Sequence, residues 1–499
     1  MSETASAPRS YGNWRRPRPP GLWHLGLISS VLFGVGIIAT ILVMALAGLV
    51  PGLVVLLFQA PLFLVTLKPG SEGRTPLARL GVRFGGVRAR ATGQNVYRSG
   101  PLGRIPYSTH LLPGILASSQ LSQARDSYDR PFAVLCHPWV RHLTVVIETE
   151  PDGASLTDQW QVDQWVAHHG QWLGRLGREP GLISCQISVE SAPDPGTRLR
   201  HMLNGRAAGN APAFAREVID EIAATYPAGS ADVKARIALT YRMVAPGGRR
   251  LSATEKAHEI ATRLGNLTRE LHSTGAGVAV PVDAQRLCEI VHSAYNPRAA
   301  ELIEQARTAG QPAVLSWDDV GPAMAVARPQ SYWHDGAVSV TWEMSEAPRG
   351  EVLETVLAGL IAPHSHIPRK RVTLLYRVIS PGEAAKIVDR DLHNAEFRVN
   401  TQARPSARSV REAQSAKATA QEEAHGAALI NVGMLVTATV LEHDGLSAAT
   451  AAVENLGPTA RVNLRVAHNS QDSAFAAALP CGVWLPEHIR IPEQIREAL

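Results

Sequence analysis

The residues whose types could carry out chemistry are scattered along the chain, and their spacings complete no catalytic or metal-binding motif. His258-Glu259 lacks the second histidine of a zinc-protease helix. His364 and His366 offer two imidazoles, whereas zinc sites use three or four protein ligands. We interpret both segments as ordinary polar sequence and predict no metal site.

Two acidic pairs are the remaining candidates for acid–base or cation-binding chemistry. Asp318 and Asp319 are adjacent, and Asp389 and Asp391 are two residues apart. Side chains two apart on a helix do not face each other, so Asp389 and Asp391 are not expected to act together. Solvated charge is the simpler interpretation of both pairs. An enzyme that uses Asp318 and Asp319 as cation ligands remains an alternative.

The motifs of nucleotide binding and acyl transfer are missing from the sequence. Neither the G-x-x-x-x-G-K-[ST] phosphate loop nor the G-x-S-x-G nucleophile elbow occurs among the 499 residues. We therefore predict that the chain is not an enzyme and has no catalytic residue and no cofactor. The cysteines are too few for a disulfide scaffold and predict reduced thiols at Cys136, Cys185, Cys288 and Cys481.

The charge of the chain is unevenly distributed. There are 49 Lys and Arg against 44 Asp and Glu, a net charge of +5, in a composition that is 45% hydrophobic and typical of globular proteins. Residues 1–110 hold 12 basic and two acidic residues, which is +10, so residues 111–499 carry −5. Nucleic-acid binding through Arg83, Arg88 and Arg90 is one alternative. A basic collar facing a membrane is preferred because of its position.

An uncharged and mostly apolar segment lies between Arg18 and Lys68. A spanning helix needs about 20 apolar residues. The segment therefore predicts a transmembrane hairpin over residues 21–67, with one span near 25–47 and a second near 53–67.

The basic residues on either side of this segment predict its orientation. By the positive-inside rule, both flanks would lie in the cytoplasm, which predicts a multi-pass plasma-membrane protein with two cytoplasmic termini. The lipid bilayer is thus an expected partner. The flanking residues are Arg15, Arg16, Arg18, Lys68, Arg74, Arg79, Arg83, Arg88 and Arg90.

Strand and helix patterns alternate after the basic region and predict an α+β body built from ferredoxin-like (βαβ) units, with helices on one face of a sheet. Ser252 and Glu255 form a capping-box pattern before a helix over 252–272, and a helix is predicted over 351–360. The predicted division is a basic tail (1–20), the hairpin (21–67), a juxtamembrane linker (68–112), a first α+β domain (113–276), a second α+β portion (277–380), a helical arm (381–428) and a C-terminal βαβ unit (429–499).

Several short motifs, in a fixed order, carry a family resemblance. They are YGNWRR (11–16), LPGIL (112–116), WVAHHGQWLGRLG (165–177), APDPG (192–196), VSVTW (338–342), APR (347–349), RVTLLYR (371–377), PGEAA (381–385) and FAAALPCG (475–482). With these motifs the chain resembles an actinobacterial integral-membrane family encoded with conjugation or type IV-like secretion clusters. Its body is more distantly similar to the N-terminal, non-ATPase half of TraC/TraE-type conjugation ATPases.

The resemblance implies a membrane-anchored structural subunit of a secretion machine. In the ATPases a segment like Leu479-Pro480 precedes the motor domain. Because this chain has no phosphate loop, the motor is expected on a separate polypeptide that docks at the cytoplasmic face. Other membrane subunits, and an oligomeric state within the complex, are also implied. A type VII secretion component of EccE type is the close alternative. The resemblance supplies no catalytic residue.

Overall fold

Among the described residues, thirteen strands form one large antiparallel sheet and two more form a small second sheet. In this computed structural model the described residues are 9–12, 27–67, 76–103, 109–151, 153, 156–194, 196, 199, 202–203, 212–225, 231–245, 247–311, 314–348, 350–401, 404–441 and 443–488. The strands are β1 (Ser10–Tyr11), β2 (Val96–Arg98), β3 (Gln120–Arg125), β4 (Pro131–His137), β5 (His142–Glu150), β6 (Leu182–Pro193), β7 (Ala231–Arg242), β8 (Val278–Pro281), β9 (Met324–Ala327), β10 (Tyr332–His334), β11 (Ala337–Glu346), β12 (Val352–Leu353), β13 (Arg369–Val378), β14 (Ile430–Val440) and β15 (Asn463–Val466).

The helices lie before, between and after these strands. They are α1 (Leu27–Ala47), α2 (Leu49–Leu67), α3 (Pro76–Ala91), α4 (Gln159–Leu176), α5 (Ala213–Thr225), α6 (Ala253–Leu271), α7 (Ala284–Tyr295), α8 (Ala300–Thr308), α9 (Ala358–Ile361), α10 (Pro381–Thr401), α11 (Ala407–Ala424), α12 (Leu446–Thr459), α13 (Gln471–Ala478) and α14 (Leu485–His488).

The large sheet is built from two units of the same topology. The first unit runs β5-α4-β6-β7-α6-β8 and has the strand order β8-β5-β7-β6. The second unit runs β11-α9-β13-β14-α12-β15 and has the strand order β15-β11-β14-β13. Each is a βαββαβ arrangement of the ferredoxin-like kind. The units meet edge to edge, because β6 pairs antiparallel with β13 from Ser184↔Arg377 to Ser191↔Lys370.

Insertions occupy the same place in both units. Helix α5 lies between β6 and β7 of the first unit, and the antiparallel pair α10–α11 lies between β13 and β14 of the second. Pro405 separates α10 from α11, where it cannot continue a helix. The helical arm is therefore an insertion within the second unit, whose strands come from both sides of it in the sequence.

Helices cover both faces of the sheet, so the predicted one-sided layer is wrong. On the first face α4 and α6 pack over Leu143, Leu239 and Tyr241, and α12 packs over Val340 and Val436. On the second face α7 and α13 pack over the first unit and the junction. Side chains alternate between the two faces along each strand. Those on the second face are small and polar, and they are buried rather than exposed to solvent.

The predicted membrane hairpin is not supported. Helices α1 and α2 meet at Gly48, which has φ +94°, and Thr40 donates a hydrogen bond to the Gln59 side chain at 3.1 Å. Within the described ranges, however, no helix is both long enough and apolar enough to cross a membrane. This finding overturns the hairpin over 21–67, the transmembrane assignment and the multi-pass plasma-membrane localisation.

Two local predictions have different outcomes. The capping box is confirmed: Ser252 accepts a bond from the Glu255 backbone N–H, and Glu255 accepts one from Ser252. The helix predicted over 351–360 is found only in part: residues 352–353 are extended and pair with β1, residues 354–357 form a 3₁₀ turn, and α9 follows.

The cap gives a direct test of how α6 is fixed. Replacing Ser252→Ala removes the acceptor for an otherwise unpaired helix N–H, so the free energy of unfolding should fall by about 1 kcal/mol. Denaturant titration measures this change. Thr254→Ala is the matched control, because Thr254 is exposed in the first turn and is not the cap; an equal loss in both variants would contradict the capping account.

Candidate functional site

The polar second face of the sheet is covered at the unit junction by one segment of the chain. We call this segment the strap; it comprises residues 471–488, that is α13, the connecting residues 479–484, which turn at 480–481, and α14. Its middle is fully buried, at Ala477, Ala478, Leu479 and Cys481. The strap therefore carries the chain across the interior from the second unit to the first.

Side chains of the two junction strands bind the carbonyls in the middle of the strap. On β6, Gln186 Nε2 donates to Ala477 O at 3.2 Å and to Leu479 O at 2.7 Å. On β13, Thr373 Oγ1 donates to Ala478 O at 2.9 Å. A buried carbonyl without a donor costs free energy, so these side chains make the crossing possible. One strand of each unit thus binds the same short segment.

The strap then continues over the first unit. His137 Nε2 donates to Cys481 O at 2.8 Å, and Thr240 Oγ1 donates to Gly482 O at 3.0 Å. Burial lowers the pKa of His137 to about 4, so the ring is neutral near pH 7. A neutral ring still donates the single proton that the carbonyl requires.

Gly482 is required at its position for two reasons. Its φ is +64°, in the left-handed region that favours glycine. A Cβ there would lie 2.2 Å from Thr240 Oγ1 and 2.3 Å from Thr144 Oγ1, which are in turn 3.1 Å apart. The strap lies directly on the threonine pair, and no side chain fits between them.

The beginning of the strap is fixed by the second unit. The Gln471 side chain accepts from the Thr341 backbone N–H at 2.9 Å and donates to Thr341 O at 3.0 Å. Its amide thus binds both backbone groups of Thr341, as the backbone of a neighbouring strand would. Phe475 packs against Tyr295 and Tyr332, with ring centroids 5.1 and 5.3 Å apart. This end therefore has both polar and apolar anchors.

A charged cluster lies beside the strap on the same face and also joins the units. Glu190 on β6 accepts from Arg236 at 2.9 Å, from Arg371 at 3.0 Å and from Arg369 at 3.4 Å. Arg236 belongs to the first unit, and Arg369 and Arg371 to the second. Arg236 also pairs with Glu148 at 3.0 Å. One buried carboxylate thus links three guanidinium groups across the junction.

The arginines keep both carboxylates ionised. Burial by itself would raise the pKa of Glu190, but Arg371, Arg369 and Arg236 hold it well below its usual range. Burial would also raise the pKa of Glu148, but Arg236 and Arg286 lower it to about 2. Both groups are therefore charged in the folded state at any pH above about 4.

The strap ends at the side of the first unit where β5 begins at His142 and β7 ends at Arg242, a place that we call the rim. Glu487 on α14 accepts from His142 Nε2 at 2.9 Å and from Arg242 at 2.6 Å. Burial would raise the pKa of Glu487, but His142 and Arg242 lower it to about 2. The His488 ring meets the His137 ring edge-on at 6.1 Å between centroids. These contacts fix α14, the last described element, against the first unit.

Four of the nine basic residues predicted to flank the membrane lie within the described residues. Arg15, Arg16, Arg18, Lys68 and Arg74 lie outside the described residues. Arg79, Arg83, Arg88 and Arg90 lie on α3, within the segment predicted as a linker. The sequence signal for this helix was the spacing of Leu80, Phe84 and Val87, which the linker prediction overlooked.

The other candidate residues do not come together into a reactive site. Glu259 next to His258 pairs with Lys256 and Arg263, and Asp319 accepts from Ser316. Over the described part of the chain, no three His, Cys, Asp or Glu residues are arranged to hold a metal ion. The cysteines are all free and buried, namely Cys136, Cys185, Cys288 and Cys481.

Comparison with known families assigns one short part of the chain. Residues 18–77 match a domain of unknown function, DUF8461. The match covers the segment before and at the start of α3 and leaves the sheet and the strap unassigned. No curated protein matches the chain.

The strap account predicts that Gly482→Ala is strongly destabilising. The substitution combines left-handed strain with collision against Thr144 and Thr240, so the free energy of unfolding should fall by about 2–4 kcal/mol. Gly310→Ala is the matched control, because Gly310 has φ +73° and an added Cβ would meet no atom within 4 Å, so it should cost about 1 kcal/mol. Equal losses measured by thermal unfolding would contradict the close packing.

The charged cluster predicts a specific dependence on acid. Because the folded pKa of Glu148 is about 2 against an ordinary value of 4.5, its stabilisation is present above pH 4.5 and is lost as pH falls toward 2. Glu190, lowered in the same direction, adds to this loss.

Glu190→Gln tests the cluster directly. It leaves three arginines without their shared carboxylate, so stability at pH 7 should fall by about 3–5 kcal/mol. The dependence on pH below 4.5 should also become shallower than in the unsubstituted chain. Glu422→Gln, on the exposed face of α11, should change neither quantity. An unchanged acid dependence in Glu190→Gln would contradict the assignment.

Proposed function

We propose that the protein is a non-catalytic structural subunit of a bacterial conjugation or type IV-like secretion machine, and that it docks a separate ATPase. The observation that carries the proposal is the strap. In the ATPases that the chain resembles, a Leu-Pro segment precedes the motor domain. Here Leu479-Pro480 is buried at the unit junction, where it directs the chain to the rim.

The architecture suits a platform better than a moving enzyme. The two units share a continuous sheet, and the strap and the charged cluster both cross their junction. Buried hydrogen bonds and ion pairs of this kind oppose relative movement of the units, because breaking them exposes unpaired polar groups. A rigid body to which α14 is fixed supports the docking of a partner.

The rim beside the strap end is the docking surface that we assign to the ATPase. Trp139 lies in the turn between β4 and β5, next to His137 and His142, and its side chain is 64% exposed. Exposed tryptophans are frequent anchors of protein interfaces. His137 and His142, on either side of this turn, both contact α14, which supports Trp139 as the anchor for a motor that follows the corresponding segment in the resembling ATPases.

A binding experiment with purified components tests this function. The probe is the TraC/TraE-type ATPase encoded nearest to this gene, and its affinity for the full chain is measured by interferometry. Trp139→Ala should weaken binding at least about tenfold, which corresponds to about 1.4 kcal/mol. Trp160→Ala is the matched control, because Trp160 is 56% exposed on α4, and its affinity should be unchanged.

Two results would contradict the proposal. The first is no measurable binding of the ATPase by the folded chain. The second is an equal effect of Trp139→Ala and Trp160→Ala, which would place the contact elsewhere. Binding of a type VII secretion ATPase in place of the conjugation ATPase would instead support the alternative that the protein is an EccE-like component.

A further inference from the structure

Helix α3 presents an apolar stripe with basic edges. Leu80, Phe84 and Val87 are exposed and spaced so that they lie on one side of the helix. The arginines Arg83 and Arg88 flank this stripe, and the helix contains no acidic residue. Such a stripe is the part of an amphipathic helix that normally packs against another element.

Another side of α3 is seated on the second unit. A Cβ on Gly86 would lie 2.4 Å from Asn469 Cγ, so α3 approaches the loop after β15 closely at that point. By the 3.6-residue period, Gly86 lies about 160° around the helix from Phe84 and about 100° from Val87. The contact with the body is therefore outside the apolar stripe, whose side chains remain exposed.

Helix α5, inserted in the first unit, has the complementary composition. Phe214, Val218 and Ile222 recur every four residues and are exposed. Glu217 and Glu221 lie along the edge of this stripe, and both are exposed. With Asp220 and Arg216, the ionisable residues of α5 sum to −2, against +4 for α3.

We propose that α3 of one copy of this chain packs on α5 of a second copy. The two stripes have the same kind of spacing, both are exposed, and the charges at their edges are opposite. Opposite charges at the rim of an apolar contact favour one partner and one orientation. The occupant of each stripe is therefore the other helix, in a neighbouring molecule.

The contact joins two different surfaces, so it is head-to-tail unless the same two copies also make it reciprocally in a two-fold dimer. Within one chain α3 is seated at the loop after β15, and α5 lies between β6 and β7, on the other unit. A head-to-tail contact between copies forms a ring when the rotation closes and an open chain when it does not. This inference does not depend on the docking of an ATPase.

Mixing two variants tests the contact directly. Phe84→Asp disables the α3 stripe and leaves α5 intact, whereas Phe214→Asp does the reverse. The side chains are 72% and 76% exposed, so both variants should fold with unchanged thermal unfolding. Sedimentation equilibrium of the purified full chain at about 100 µM then measures the mass.

The expected results follow from the pairing of two different surfaces. The unsubstituted chain associates beyond the monomer, and each variant alone remains at the monomer mass of 53.6 kDa. An equimolar mixture of the two variants gives twice that mass and nothing larger, because only one productive contact remains. Raising salt from about 0.05 to about 0.5 M should weaken the dimer, since its flanking charges are exposed.

Phe397→Asp is the matched control. Phe397 is 69% exposed on α10, outside both stripes, and its substitution should leave association unchanged. The exposed apolar side chains of α1 and α2 are present in every variant. Association through them would persist in Phe84→Asp and in Phe214→Asp, and that result would overturn the proposal.

Two further results would also overturn it. One is a monomeric unsubstituted chain, or a variant mixture that stays monomeric. The other is binding of α3 to lipid instead of protein: vesicles of phosphatidylcholine and phosphatidylglycerol would then sediment the Phe214→Asp variant but not the Phe84→Asp variant, and the mixture would form no dimer.

Discussion

The buried strap imposes the constraint on which the rest of the body depends. The middle of the strap, residues 477–482, crosses the interior, and its carbonyls must be satisfied there. Gln186, Thr373, Thr240 and His137 supply the donors from four strands. This requirement explains why one face of an otherwise apolar sheet carries amides, hydroxyls and a neutral imidazole. It also explains why residue 482 is a glycine, because the backbone there lies directly against Thr144 and Thr240.

The pairing of β6 with β13 and the charged cluster serve the same junction. Each ferredoxin-like unit would otherwise end in an open strand edge, and edge-to-edge pairing removes both edges at once. Glu190 adds ion pairs to arginines of both units. Because these contacts, like the strap, cross the junction, separation of the units would break them together. The body is therefore one structural element.

Local sequence patterns were sufficient for much of the secondary structure but not for the site. The alternating strands and the capping box at Ser252 depend on neighbours in the sequence and could be read from it. The strap could not, since Gln186 and Leu479 are 293 residues apart and neither position carries a local signal. The continuity of the second unit could not be read from neighbouring residues either, because α10–α11 separates two strands that are adjacent in the sheet. The membrane hairpin before residue 68 was predicted from composition alone. It is not supported, because the described helices do not meet the length and apolarity that a membrane crossing requires.

The central claim is that the strap and the two units open as one cooperative unit. Native-state hydrogen exchange of the full chain, read by mass spectrometry, tests this claim most directly. Peptides from β7, from β14 and from residues 471–483 should show the same opening free energy, which is that of global unfolding. The account is contradicted if residues 471–483 exchange with an opening free energy lower by more than about 1.4 kcal/mol while β7 and β14 remain protected.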